Sequence, residues 1–205
     1  MPLSELTSTA QDYLKVVWSA TEWVPGPVTV TLLAERMGVR KATASDTVRR
    51  LVELGLLAHE PYGGVELTAL GRKHALGMVR RHRILETFLV ESLGYGWDEV
   101  HDEAERLEHA VSDTLIDRVD ALLGHPERDP HGDPIPSREG QPHLPRAVVL
   151  ADAPAGVPLT VERISDADPG VLRELAQRGI RPGVVLSAPT DLGEEEAAAI
   201  WVSPA

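Results

Sequence analysis

Thr29-Val30-Thr31-Leu32-Leu33-Ala34-Glu35-Arg36-Met37-Gly38, followed by Lys41-Ala42-Thr43-Ala44-Ser45-Asp46-Thr47-Val48-Arg49-Arg50-Leu51-Val52-Glu53-Leu54, is the stretch that decides the fold of the N-terminal part of this 205-residue chain. Val30, Leu33 and Ala34 recur at helical spacing and predict a short helix from Thr29 to Met37. Gly38 supplies a turn, and a longer helix is expected from Lys41 to Leu54 with Ala44, Val48, Leu51 and Val52 inward. A short helix, a tight turn and a longer basic helix make a helix-turn-helix pattern. The outer side of the longer helix and its entry carry Arg40, Lys41, Thr43, Ser45, Asp46, Thr47 and Arg49, whose hydroxyl and guanidinium groups suit phosphates and base edges. Small polar residues are also what any solvent-facing helix carries. Asp46 is the misfit on a DNA-facing surface, unless it accepts from a cytosine amine.

Working outward, Leu6, Ala10, Tyr13, Leu14, Val17 and Ala20 predict a first helix from Leu3 to Glu22 with Ser4 as its cap, stopped by Val24-Pro25-Gly26-Pro27. After Gly55, two short strand-like runs flank Pro61-Tyr62-Gly63-Gly64, which reads as a hairpin, and a helix restarts at Thr68. Helix, helix-turn-helix, hairpin and helix together describe a winged-helix DNA-binding domain. The helix from Thr68 to Leu93 bears Met78, Val79, Leu85, Leu89 and Val90 on one side, with His82 and Glu86 at i, i+4 inside that stripe.

Past the Gly94-Tyr95-Gly96 loop comes His101-Asp102-Glu103-Ala104-Glu105-Arg106-Leu107-Glu108-His109. At roughly 100° per residue, His101, Glu105, Glu108 and His109 fall at about 0°, 40°, −20° and 80°, one face of a helix. Followed onward as one helix, Val111, Leu115, Ile116, Val119, Leu122 and Leu123 land on that same side. Carboxylates in a stripe that should be buried need a counter-charge or a cation. The bland reading is a solvated helix start that turns inward only after residue 110. Two His/Glu pairs on neighbouring helices tip the balance toward a metal site.

Composition bounds the chemistry. There is no Cys, so disulfides, thiol nucleophiles and thiolate metal sites are excluded, and a metal must be held by nitrogen and oxygen. The net charge of −12 argues against a nucleic-acid partner until its distribution is read. Up to Gly96 there are 11 Lys plus Arg against 10 Asp plus Glu; from Trp97 onward there are 9 against 22. The first half is therefore the expected place for DNA, and the acidic half is suited to binding cations. No run approaches a membrane span and no basic signal start is present, so a cytoplasmic protein with no membrane partner is expected.

From Pro126 through Glu139-Gly140-Gln141-Pro142 the chain reads as a linker, with His125, His131 and His143 as surface or packing residues. From Arg146 to Ala205, apolar runs at Ala147 to Leu150, Leu159 to Ile164, Val184 to Leu186 and Ile200 to Val202 alternate with Gly-Pro turns, with one helix near Pro169 to Gln177. A small β-barrel is expected there. The whole is a mainly α chain with a small β part: a winged helix at 1–72, a helical segment carrying the candidate metal ligands at 73–140, and a small β-barrel at 141–205.

Arg81-His82-Arg83-Ile84-Leu85-Glu86, Val100-His101-Asp102-Glu103-Ala104-Glu105-Arg106-Leu107-Glu108-His109-Ala110-Val111-Ser112-Asp113 and His131-Gly132-Asp133-Pro134-Ile135-Pro136 resemble the metal-dependent regulators of the diphtheria toxin repressor and manganese transport regulator family over residues 5 to 140. The resemblance implies a homodimer that binds palindromic operator DNA when metal-loaded, with 73–140 as a helical dimerisation and metal-binding domain and 141–205 as an SH3-like β-barrel. It implies a primary metal site of Asp12, Glu105, Glu108 and His109, although Asp12 alone would pass for an exposed acid. It implies a second site of His82, Glu86 and His101. The third domain of longer members lends ligands to that second site, and Asp168 aligns with one of them; Asp166 is the neighbouring alternative, and both could be plain loop acids.

Iron-responsive members have Met in place of Asp12 and Cys in place of Glu105, whereas manganese-responsive ones have Asp and Glu. Oxygen donors independently suit a hard cation such as Mn²⁺. A manganese-activated repressor of manganese homeostasis genes is therefore expected. An iron-responsive repressor using Fe²⁺ is the alternative, with Zn²⁺ or Co²⁺ as activators in vitro. Lys15 stands where two-domain manganese regulators place a glutamate, so their closely spaced metal pair is not expected here. A metallohydrolase is the rival from another class, but no His-Glu-x-x-His helix, nucleophile motif or phosphate loop is present.

Overall fold

The structure is a computed structural model that describes residues 3–23, 26–60, 63–140, 142, 144–154, 156–187 and 190–205. It separates into two compact units, Met1–Arg80 with Arg138–Gly140, and Arg81–Ser137 with Gln141–Ala205. The expected helix stop at Val24-Pro25, the hairpin tip at Pro61-Tyr62 and the reading of His143 fall outside the described residues.

In the first unit a 3-10 turn, Leu3–Glu5, precedes α1, Ser8–Glu22. The cap is Thr7, whose side chain accepts from the Ala10 N–H at 3.3 Å, rather than Ser4. The 3-10 turn delays the start of α1 to Ser8, which puts the orphan amide of Ala10 within reach of the Thr7 hydroxyl. α2, Val30–Arg36, is capped by Thr29, and Gly38 at φ 62° turns the chain into α3, Lys41–Glu53. Ala44, Val48 and Leu51 are buried as expected, but Val52 stands 36% exposed, because it lies one residue past the inward stripe. β1, Leu57–His59, pairs antiparallel with β2, Val65–Leu67, and forms the wing.

α4, Ala69–Leu93, begins here, so the border expected after residue 72 falls in its first turn. Thr68 donates to the Gly55 carbonyl at 2.7 Å and accepts from Gly71 N–H at 3.0 Å, closing the wing onto the helix start. Tyr13, Leu14, Leu33, Val48, Leu51, Leu56, Val65 and Ala75 meet in one core. Each fully buried large side chain there contributes about 1.5–3 kcal/mol. Packing these inward faces together leaves the outer face of α3 free.

The second unit holds residues 81–93 of α4, then α5, Val100–Glu108, and α6, Asp113–Leu122. Periodicity predicts one helix from His101 to Leu123; the structure breaks it. Ser112 caps α6 by accepting from Leu115 N–H at 3.2 Å, and the Arg81 guanidinium donates to the Glu108 and Val111 carbonyls. The freed carbonyls at the end of α5 thus find partners, as a helix end must. The apolar continuation belongs to α6 instead, where Ile116 and Val119 are buried while Leu115 is 44% and Leu122 71% exposed.

Residues 126–142 read as a linker by composition, yet Asp129, His131, Asp133 and Ile135 are buried. Gly132, at φ 91°, passes so close to β4, Pro158–Ile164, that an added Cβ would lie 2.2 Å from the Glu162 carbonyl oxygen. The Ile164 N–H donates to the His131 carbonyl at 2.9 Å. The β part is a four-stranded antiparallel sheet. Its order is β3 (Val148–Val149), β6 (Ile200–Pro204), β4 and then β5 (Val185–Ser187). α7, Pro169–Gln177, covers its core through Leu172 and Leu175, and α8, Glu194–Ala198, is a short helix that periodicity does not predict. No helix among the described residues is long and apolar enough to cross a membrane.

Candidate metal centre

α4 and α5 bring their paired histidines and glutamates together in the second unit. His82 Nε2 lies 2.9 Å from Glu86 Oε1, one turn along α4, and 3.2 Å from His101 Nδ1 on α5. His101 Nδ1 is 3.3 Å from Glu86 Oε1 and 3.1 Å from Asp166 Oδ2, in the loop between β4 and α7. One ligand atom from each of His82, Glu86, His101 and Asp166 lies within 4.8 Å of the others. Asp168 takes another role: its side chain caps α7, accepting from Gly170 N–H at 2.7 Å and Val171 N–H at 3.3 Å.

On its other ring nitrogen His82 meets Glu108, Nδ1 to Oε2 at 2.6 Å. Glu108 is fully buried at the end of α5, and its Oε1 lies 3.7 Å from Nε2 of His109, which caps that helix. Glu105 has a donor atom within 4.8 Å of those of His82 and Glu108, although its side chain is half exposed at the rim. His82 therefore touches both ligand groups expected from the sequence, and the His82–Glu108 pair is the kind of carboxylate–histidine link that orients an imidazole. Asp12 is carried by α1 of the first unit, half-buried beside core residues Tyr13 and Leu14.

The structure adds Asp129, which sequence reasoning passes over, and His131, which it reads as a surface or packing residue. Nε2 of His131 is 2.6 Å from the Trp97 carbonyl, to which it donates. That leaves Nδ1 buried without a hydrogen bond, 3.8 Å from Glu86 Oε2. Glu86, Asp129 and His131, all buried, also gather ligand atoms within 4.8 Å. The available signal was the alternation Asp129-Pro130-His131-Gly132-Asp133, ionisable groups at every second position of a segment too proline-rich to be helical.

Burial opposes charge throughout this cluster, and at His101, His131, Asp166 and Glu86 pairing overcomes it. For His101, burial works to lower the pKa, but hydrogen bonds to Asp166 and Glu86 raise it to about 11. For His131, burial again lowers it and Glu86 carries it up to about 10. Asp166 and Glu86 are held below the carboxylate range despite burial, by His101 and His82 respectively. Asp129 is raised to about 8 by burial, and then by the nearby Asp133 and Glu86 charges. Pairing thus favours charged imidazoles at His101 and His131 beside the carboxylates of Glu86 and Asp166, while Asp129 is pushed toward its neutral form. A divalent cation suits the same set: donors are oxygen and imidazole only, they converge, and the buried Nδ1 of His131 makes no hydrogen bond.

The expected DNA-facing residues lie on the outer side of α3. Lys41, Thr43, Ser45, Asp46 and Arg49 are exposed, as is Arg40 at its cap position. Thr47 is half-buried, and its hydroxyl donates to the Thr43 carbonyl at 3.0 Å.

A winged helix whose chain runs on into a buried histidine–carboxylate cluster defines a metal-dependent DNA-binding regulator. Comparison with known proteins agrees. Residues 5–65 match the family model "Iron dependent repressor, N-terminal DNA binding domain", and residues 68–137 match "Iron dependent repressor, metal binding and dimerisation domain". Residues 148–189 match the FeoA domain, in keeping with the SH3-like β part. The iron-dependent repressor IdeR of Mycobacterium tuberculosis (strain ATCC 25618 / H37Rv) is 32% identical over 204 residues, covering 93% of this chain and 88% of the relative. A manganese-dependent transcriptional repressor solved in complex with manganese is 51% identical, with a TM-score of 0.89 over 96% of this chain and all of that one. ScaR with bound Zn²⁺ is 29% identical, with a TM-score of 0.81 over 96% and 99% of the two chains. The chain belongs to the iron-dependent repressor family, that of the diphtheria toxin repressor and the manganese transport regulators. It is a metal-dependent transcriptional repressor; its relatives are repressors and not enzymes, which disposes of the hydrolase reading.

Proposed function

We propose that this chain is a manganese-responsive repressor of manganese homeostasis genes, acting in the cytoplasm as a homodimer on palindromic operators. The observation that carries the reading is the sulfur-free ligand set in which His82, Glu86, His101 and Asp166 converge. Asp12 and Glu105, where iron-responsive relatives carry sulfur, support the same metal. His82, Glu86, His101 and Asp166 would hold one ion. Asp12, Glu105, Glu108 and His109 would hold another, joining α1 of the reading head to α5. When bound, the cation supplies fixed positive charge that replaces protons on the imidazoles and holds the carboxylates together.

The chain's own residues do the rest. The buried Glu108 holds His82 in position, Arg81 fixes the end of α5, and Asp12 sits in α1, whose Tyr13 shares a core with Val48 of α3. Ordering Asp12 would therefore bear on the recognition helix through packed side chains. Metal and DNA must then favour each other equally, typically by about 1–3 kcal/mol.

The test is a pair of anaerobic binding isotherms, Mn²⁺ and Fe²⁺, each with and without duplex DNA selected by the protein. Mn²⁺ is expected to promote DNA binding at the lower free concentration. Preferential activation by Fe²⁺, which the iron-dependent relatives would favour, overturns the manganese assignment while leaving the repressor itself in place.

A further inference from the structure

One exposed contact on α3 is unexplained by folding or by phosphate binding. Asp46 Oδ1 lies 3.0 Å from Arg49 Nη2, one turn along the helix, with the side chains 57% and 68% exposed. Their neighbours Ala44 and Val48 are buried, so both point away from the core. An i, i+3 pair in water adds little stability. An acid also weakens phosphate attraction on a face otherwise charged by Arg40, Lys41, Arg49 and Arg50. Its position makes sense if it works on the arginine beside it. A guanidinium has five N–H donors in a planar fork, so one nitrogen held by Asp46 fixes the plane and leaves the others to donate. Thr47 beside them turns its hydroxyl back to the Thr43 carbonyl.

We propose that Asp46 and Arg49 act as one unit that reads a guanine and a neighbouring cytosine in the major groove. Arg49 donates to guanine O6 and N7, while Asp46 holds the guanidinium and accepts from the cytosine N4 amine. This rests on the winged-helix DNA-binding reading and names the base chemistry it selects. Arg49 is the reader and Asp46 both a positioning residue and an acceptor. The negative charge also penalises any register in which the helix faces phosphate alone.

The experiment is selection from a randomised duplex library by the full-length protein loaded with Mn²⁺, Fe²⁺ or Zn²⁺. Fluorescence anisotropy on the selected duplex and its single-base-pair variants follows. Wild type, Asp46→Ala, Asp46→Asn, Arg49→Ala and Arg49→Lys are compared, with circular dichroism to show that each is folded. Wild type is expected to fix a G·C pair in each half-site that Arg49→Ala and Arg49→Lys no longer prefer. Asp46→Ala should lose about tenfold of discrimination at that step and bind unselected DNA more tightly. Asp46→Asn should move the neighbouring preference from cytosine toward adenine, because an amide can both donate to N7 and accept from N6. If Asp46→Ala and Asp46→Asn keep every wild-type base preference and change affinity for all duplexes by one factor, the pair is a solvated ion pair and the proposal fails. If wild type selects no duplex with any of the three metals, the DNA-binding reading fails and this proposal falls with it.

Discussion

Asp166 and Asp168 are two residues apart, and their surroundings assign them different work. Asp166 lies 3.1 Å from a ring nitrogen of His101, whereas Asp168 is spent on two amides at the start of α7. Asp166→Ala is therefore expected to weaken metal binding at the His82, Glu86 and His101 cluster by about 10- to 100-fold. Asp168→Ala should instead cost about 1 kcal/mol of stability, as cap losses do, and leave metal affinity alone. Isothermal titration with Mn²⁺ and denaturant melts of both variants check this; the reverse pattern would return the ligand role to Asp168. Sequence could not separate the two, since both are acids in a polar loop and only the fold decides which faces His101. The same holds for His131, whose value as a candidate ligand comes from Trp97 engaging one nitrogen and Glu86 facing the other. His82, Glu86 and His101, by contrast, are legible because an ionisable residue inside an apolar helical stripe is anomalous on periodicity alone.

Elements were legible where local chemistry alone sets them. The helix-turn-helix and wing follow from apolar periodicity, from Thr29 as a cap and from Gly38 in the left-handed region. The break between α5 and α6 was not legible: both helices continue one periodic pattern, and the break is secured partly by Arg81 from α4. The 127–137 segment reads as linker by composition, because the groups that make its burial tolerable are distant in sequence. Arg83 donates to the Pro134 carbonyl at 2.7 Å, Arg163 pairs with Asp133 at 2.8 Å, and Arg128 pairs with Glu162 at 2.8 Å. A tight approach of two elements is likewise visible only in three dimensions. At Gly71, in the first turn of α4, an added Cβ would lie 1.9 Å from the Leu56 carbonyl oxygen next to β1. Backbone must move to admit it, so Gly71→Ala is expected to destabilise the first unit by about 3 kcal/mol, the upper end for overpacking. Urea melts of the variant against wild type measure it, and an unchanged midpoint would mean that the wing and α4 separate without penalty.

At the scale of the molecule, a chain with net charge −12 approaches DNA through the one stretch where bases and acids nearly balance, and leaves its excess acid to the metal-binding part. That division sets a problem of communication. As proposed, the histidine–carboxylate cluster of the second unit would bind a cation without involving α3, so that metal binding and metal-dependent DNA binding become separable properties. In the proposed scheme they are joined by Asp12, whose helix packs in the same core as α3, and by Glu105, Glu108 and His109. Asp12→Ala separates the two. Mn²⁺ should still bind at His82, Glu86, His101 and Asp166, while DNA affinity becomes flat across the Mn²⁺ titration, losing a coupling factor of about 5 to 150. Linkage requires that DNA then also ceases to tighten Mn²⁺ binding, so both isotherms must change together. A variant whose DNA affinity still climbs with Mn²⁺ as in wild type would remove Asp12 from the coupling and leave the second unit to act on the reading head by another route.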